Sequence, residues 1–144
     1  MYAQTFLFTH GTAEMIKGLV DRKRPYVYFG SIPSGTEDVY QEGFPSGTSS
    51  LAFMSATFLS YTFSVEYPDS KLKIPFIIGS YTLATVISAG VIFDGEHFLT
   101  DVLIGAGIGS IFGLLIPALH RKNENNNKIS FNFTGNGGIV LIKF

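Results

Sequence analysis

The strongest constraint on this chain is where its apolar residues fall. Residues 51 to 65, 74 to 93 and 98 to 119 are nearly free of charge, and the last two reach the roughly 20 residues that a helix needs to cross a bilayer core. Uncharged stretches of that length, separated by short polar turns, are hard to cover with water-facing side chains, so a soluble three-helix core is the weaker reading. A hydrophobic content of 46% in a chain one domain long points the same way. We therefore expect an all-α transmembrane helical bundle, with helices near residues 3 to 18, 46 to 66, 74 to 93 and 97 to 119. A long polar loop is expected over 19 to 44. The first helix is amphipathic at best, with Phe6, Leu7 and Phe8 near its start and Glu14 and Lys17 near its end, and reads as half of a spanning helix. Met1 precedes an apolar stretch with no basic segment, which does not resemble a cleavable leader.

In lipid, helices associate through small residues that let backbones approach. Three such stripes recur every four residues: Gly105, Gly109 and Gly113; Ser80, Ala84 and Ser88; Ala52, Ala56 and Ser60. They are expected to be the packing faces of one bundle, a membrane-embedded domain over residues 1–122. Residues 123–144 form a tail. It opens with the polar run Asn123 to Asn127, then changes period: Ile129, Phe131 and Phe133 alternate with polar residues before the turn signal Gly135-Asn136-Gly137-Gly138 and the β-branched run from Ile139 to Ile142. That pattern predicts a short C-terminal β-hairpin.

Composition excludes several chemistries. The chain has no cysteine, so disulfides, thiolate metal sites and cysteine nucleophiles are absent. The one dense basic cluster, Arg22-Lys23-Arg24, is too short to track a nucleic-acid backbone, and the net charge is -1. No nucleic-acid partner is expected. His10 and Glu14 share a helical face at i and i+4, but two ligands make no zinc site, and they read as a surface pair. Neither a metal nor a cofactor is expected.

A second set of residues suits phosphoryl chemistry, which needs fixed positive charge and hydrogen-bond donors aimed at nonbridging oxygens. Lys17 offers a point charge, Arg24 a planar fork, Ser46 a hydroxyl, and Gly47 a backbone amide where a helix begins. Of the two Pro-Ser-Gly-Thr copies, at 33 to 36 and 45 to 48, only the second runs into an apolar helix. On their own, Lys17 and the Arg22 to Arg24 cluster also fit a lipid-headgroup anchor at a helix end. His97 opens an apolar helix with Asp101 one turn later. A carboxylate against one ring nitrogen would leave the other free to attack, as in a base oriented by a third group. The plainer alternative is a helix cap with an acidic residue favoured by the dipole.

Taken in order, Lys17 followed after six residues by Arg24-Pro25, then Pro45-Ser46-Gly47, then His97-Phe98-Leu99-Thr100-Asp101, these blocks resemble the type 2 phosphatidic acid phosphatase and haloperoxidase superfamily. The resemblance covers roughly residues 4 to 119. It implies a membrane-embedded lipid phosphate phosphatase that hydrolyses a phosphomonoester or diphosphate through a phosphohistidine. His97 would be the nucleophile, Asp101 its partner, and Lys17, Arg24, Ser46 and Gly47 the phosphate site. Phosphorylated lipid and the membrane are the partners implied.

The chain departs from the family pattern in three places. Thr48 stands where the family has the His that protonates the leaving oxygen, and a Thr hydroxyl is far too weak an acid to replace it. Val91 stands where the family has a phosphate-clamping Arg, six residues before His97. The chain also supplies about four helices of the family's six-helix core, so a homo-oligomer or missing N-terminal helices would complete it. Impaired hydrolysis is the leading expectation. A catalytically inactive phospholipid-binding or structural pseudoenzyme is the alternative, and a haloperoxidase is disfavoured because the same two losses would weaken an oxyanion cofactor. An up-and-down path brings Lys17, Ser46 and His97 to one face, while Lys71, Lys73, Arg121 and Lys122 mark the other as cytoplasmic. The expectation is an integral protein of the inner or plasma membrane with its site facing away from the cytoplasm.

Overall fold

The computed structural model describes residues 1–30, 42–126, 129–134 and 137–142, and the side chains of 1–30 and 42–121. Among the described residues five helices follow one another: α1 (Tyr2–Leu19), α2 (Pro25–Phe29), α3 (Gly47–Glu66), α4 (Lys73–Phe93) and α5 (Leu99–Asn126). Four of them lie where the apolar pattern places them. The fifth, α2, is a single turn inside the expected loop, opened by Pro25 at its first position and closed by Gly30 at φ 71°. Only glycine takes that left-handed backbone without a steric penalty. The first Pro-Ser-Gly-Thr copy, 33 to 36, lies outside the described residues.

α5 runs past its expected end at 119 to Asn126, carrying Pro117 within it. Neither glycine nor proline occurs between residues 118 and 134 to stop it, so the first four asparagine-rich residues, expected as linker, are helical. Of the expected turn of the tail hairpin, 135 to 138, residues 135–136 lie outside the described residues.

α3 is the hub: it packs on α1, α4 and α5, whereas α4 reaches almost only α3. The glycine stripe on α5 explains the closest of these contacts. A Cβ on Gly105 would meet the Ser46 carbonyl oxygen at 2.5 Å, one on Gly113 the Met54 carbonyl at 2.7 Å, and one on Gly109 would strike the Ser50 carbonyl. Backbone therefore lies on backbone along three turns. Ala84 and Ser88 of α4 are buried, and so are Ala56 and Ser60 of α3, while Ser80 and Ala52 are half-buried. Thr57 and Tyr81 join hydroxyls at 2.9 Å, and Phe63 stacks on Phe76 at 4.5 Å between centroids.

The bundle buries mostly small or polar side chains, with Met54 and Phe58 as large exceptions, and exposes many large apolar ones. Thr5, Thr9 and Ala13 line the buried side of α1 at helical spacing, while Leu7, Ile74, Leu83, Val86, Leu103 and Ile111 are all exposed. Two helices among the described residues, Lys73–Phe93 and Leu99–Arg121, are long and apolar enough to cross a membrane. α3 is not one of them, because serine and threonine recur along its buried length. The path is up and down: Met1, Glu66, Pro117 and Arg121 line one depression at one end of the bundle. The helix ends carrying the phosphate-site residues meet at the other.

Candidate active site

The site end is assembled from three pieces of chain tied by backbone hydrogen bonds. The stretch after α1 runs beside residues 42–43, with the Gly43 amide donating to the Arg22 carbonyl at 2.9 Å. The Ser46 amide donates to the Asp101 carbonyl at 3.1 Å, and the Tyr26 amide to Gly95 at 3.1 Å. Gly43 is wedged so tightly that a Cβ would lie 2.7 Å from the Arg22 oxygen. The Phe44–Pro45 peptide that follows is cis.

His97 sits in the turn between α4 and α5, which Gly95 makes possible at φ 70° and the Val91 carbonyl closes by accepting from the Glu96 and His97 amides. The imidazole is 4% exposed. Its Nδ1 lies 2.8 Å from the Gly43 carbonyl oxygen. A carbonyl only accepts, so Nδ1 carries the proton and Nε2 keeps a free lone pair. Burial pushes His97 below its ordinary value of 6.5, with Arg24 pushing the same way, against the Gly43 hydrogen bond and the Asp101 and Glu96 carboxylates. The ring is therefore neutral at neutral pH, the form that can attack.

The direct contact expected between His97 and Asp101 is not made. Helical i, i+4 spacing does not apply, because His97 precedes the first helical residue, Leu99. Asp101, fully buried, instead accepts the Phe98 amide at 2.8 Å through Oδ2 and Arg22 Nη1 at 2.6 Å through Oδ1. The first is half of a capping box, a third-position acid reaching back to the residue before the helix. Arg22 also donates to Thr100 Oγ1 at 2.9 Å and lies over the Phe98 ring at 4.8 Å. The orienting acceptor of His97 is thus a backbone oxygen, which no residue-type pattern reveals.

Ser46 is also turned from its expected use. Its hydroxyl is buried as the α3 N-cap, accepting the Ser49 amide at 3.3 Å and donating to Ser49 Oγ at 3.0 Å. What remains for an anion at this helix start is backbone: the amides of Gly47 and Thr48 belong to the first turn, which has no intrahelical acceptors. Lys17 Nζ faces them, 3.6 Å from where a Gly47 Cβ would stand, while pairing with Glu14 at 2.8 Å. Arg24 is 14% exposed, meets Glu96 only at 3.8 Å, and its Nε has no hydrogen-bond partner among the described residues. A half-buried guanidinium so loosely satisfied is suited to an anion.

Of the two substituted positions, Thr48 is exposed and lines a cleft of about 620 Å³ shared by α1, α3 and α4. Val91 is half-buried at the end of α4, one hydrogen bond from the His97 backbone. No group of three or more metal-ligating side chains occurs among the described residues. Two cations, two helix amides and a neutral imidazole at this end of the bundle are donor types that phosphoryl chemistry uses.

Comparison with known proteins identifies the family. A PA-phosphatase related-family protein of Dictyostelium discoideum is 28% identical over 122 residues, which cover 78% of this chain and 45% of that relative. The chain thus spans less than half the length of the relative it matches. No solved structure matches. The family model described as the PAP2 superfamily matches residues 1–125, and the chain belongs to that superfamily.

Proposed function

We propose that this protein is a membrane-embedded lipid phosphate phosphatase whose His97 attacks phosphorus to form a phosphohistidine. The observation that carries the proposal is the His97–Gly43 hydrogen bond: Nδ1–H is spent on a backbone oxygen, so Nε2 is the attacking nitrogen, in a neutral ring near half-buried Arg24. Arg24, Lys17 and the Gly47 and Thr48 amides bind the phosphoryl oxygens. Their fixed charges and dipoles stabilise the transition state without reorganising. Asp101 acts at one remove, by fixing the start of α5.

Membrane embedding is supported by the exposed apolar exterior, the small-residue interior and the two long apolar helices. Lys71, Lys73, Arg121 and Lys122 lie at the far end, so the site faces away from the cytoplasm in an inner or plasma membrane. The domain is residues 1–122, followed by a short hairpin tail. A phosphorylated lipid is the substrate. A second copy of the chain or further helices would complete the bundle.

Turnover is impaired by the loss of the family acid and clamp at Thr48 and Val91. A second reading, a phospholipid-binding pseudoenzyme, is favoured by the same two positions and by the Glu14 carboxylate beside Lys17, which opposes an anion there. Trapping decides between them. Rapid acid-free quenching with a radiolabelled lipid phosphate is expected to label the full chain on histidine, and His97→Ala to abolish the label. Phosphate binding with no His97-dependent label would favour the pseudoenzyme.

A further inference from the structure

The 620 Å³ cleft changes character along its length. Leu51 and Leu59 of α3 and Leu83 and Ile87 of α4 give it apolar walls, whereas its mouth adjoins Gly47 and Thr48. Among the described residues its only ionisable side chains are His10, Glu14 and Lys17, all on α1. Glu14 Oε1 lies 2.8 Å from Lys17 Nζ and 3.9 Å from His10 Nδ1, so the carboxylate stands between the cation facing Gly47 and the imidazole. His97 does not line the cleft; it reaches the site from the α4–α5 turn.

Phosphoryl transfer keeps the attacking and leaving atoms roughly in line on phosphorus. A phosphoryl group held by Lys17, Arg24 and the α3 amides, with His97 on its turn side, directs the leaving oxygen toward the cleft. The apolar walls there suit the lipid that departs. Asp94 and Glu96 do not line the cleft, and Glu96 belongs to the nucleophile's own turn, against Arg24. Resting on the phosphatase reading, we propose that Glu14 is the proton donor that Thr48 cannot be, with His10 as its proton relay.

In the first step His97 Nε2 forms a bond to phosphorus as the phosphorus–oxygen bond to the lipid breaks. The Glu14 carboxyl proton passes to the departing oxygen and a lipid alcohol leaves. In the second, water attacks the phosphohistidine and gives its proton to the Glu14 carboxylate, releasing inorganic phosphate and His97. His10, 3.9 Å from Glu14, hands on the proton, and the cleft residues of α3 and α4 bring no charge.

Glu14→Gln keeps a hydrogen-bonding group at Lys17 and removes the transferable proton. Glu14 is exposed at the cleft surface, 43% by side chain, so the bundle packing is left alone. The full chain in a bilayer is assayed on phosphatidic acid vesicles and on p-nitrophenyl phosphate, whose leaving group departs without a proton. Expected is a fall of about 10²- to 10⁴-fold in the single-turnover rate of His97 phosphorylation by phosphatidic acid, with that by the aryl ester, read before the water step in which Glu14 also takes part, changed by no more than about threefold. An equal loss on both substrates, the mark of a disturbed Lys17, or no loss on either, overturns the assignment. Failure of the unaltered protein to show His97-dependent turnover of either ester overturns the phosphatase reading, and this proposal with it.

Discussion

Arg22 Nη1 stands 2.6 Å from Asp101 Oδ1, joining residues 79 apart in sequence. The pair is lopsided: the Asp101 side chain is fully buried, while Arg22 is 35% exposed. Removing Arg22 strands a carboxylate away from water; removing the charge of Asp101 leaves a guanidinium that water can solvate.

The two substitutions are therefore expected to differ. Breaking a buried pair costs about 3–5 kcal/mol, which the exposure of Arg22 discounts to about 2–3 for Arg22→Ala. Asp101→Asn retains an oxygen for the Phe98 amide and is expected to cost about 1 kcal/mol. The double variant should be no less stable than Arg22→Ala. Thermal unfolding in detergent checks the order; a larger loss for Asp101→Asn would show that the anion serves something other than Arg22.

The glycine stripe offers a sharper contrast within one helix. Gly109→Ala drives a methyl into the Ser50 carbonyl and must separate α3 from α5, at an expected cost of about 1–3 kcal/mol or more. Gly107→Ala meets nothing within 4 Å and is expected to gain up to about 1 kcal/mol from helix propensity. Melting temperatures of the two variants, one below and one at or above the parent, are the measurement.

That contrast also shows what the sequence could reveal. Gly105, Gly109 and Gly113 announce a close approach because their spacing equals a helical repeat, and α4 is announced by its apolar length. The motif spacing similarly marks His97, Lys17 and Arg24. What the sequence could not show was partnership. Nothing about Gly43 signals that its carbonyl orients His97, because backbone oxygens look alike in every residue. Asp101 was legible as an acid at a helix start, and its partner Arg22 was passed over as one of three basic neighbours. Ser46 was read for its hydroxyl, although a serine before an apolar helix is also the commonest kind of cap.

The state of His97 fixes the direction of the pH dependence. Its folded value lies below 6.5, so the attacking neutral ring persists to lower pH than in an ordinary histidine. The acid limb of kcat/KM, which reports the free enzyme, is expected below pH 6.5 and absent from any His97-independent background. Stability follows the same sign. Between the folded and unfolded values the unfolded chain binds more protons, so His97's contribution is present above pH 6.5 and is lost as pH falls through the folded value. An acid limb above 6.5, or unchanged in His97→Gln stability profiles, would contradict the burial argument.

Restoring the two substituted positions should act jointly. Thr48 is exposed at the cleft mouth, where an imidazole finds room beside the Gly47 and Thr48 amides, and Val91 starts from the backbone whose carbonyl accepts a hydrogen bond from the His97 amide. An arginine at 91 adds a charge-assisted fork to the phosphoryl oxygens, and a histidine at 48 adds a proton donor on the leaving side. Both interactions strengthen in one transition state, so their effects are coupled rather than additive. Thr48→His alone is expected to raise kcat on phosphatidic acid by about 10-fold or more, and by less on a lipid diphosphate, whose departing phosphate needs no proton. Val91→Arg alone is expected to act mainly through KM for both. The double variant should exceed the product of the two, measured as kcat/KM in the folded, bilayer-inserted protein; no gain over the parent would place the deficit outside these two positions.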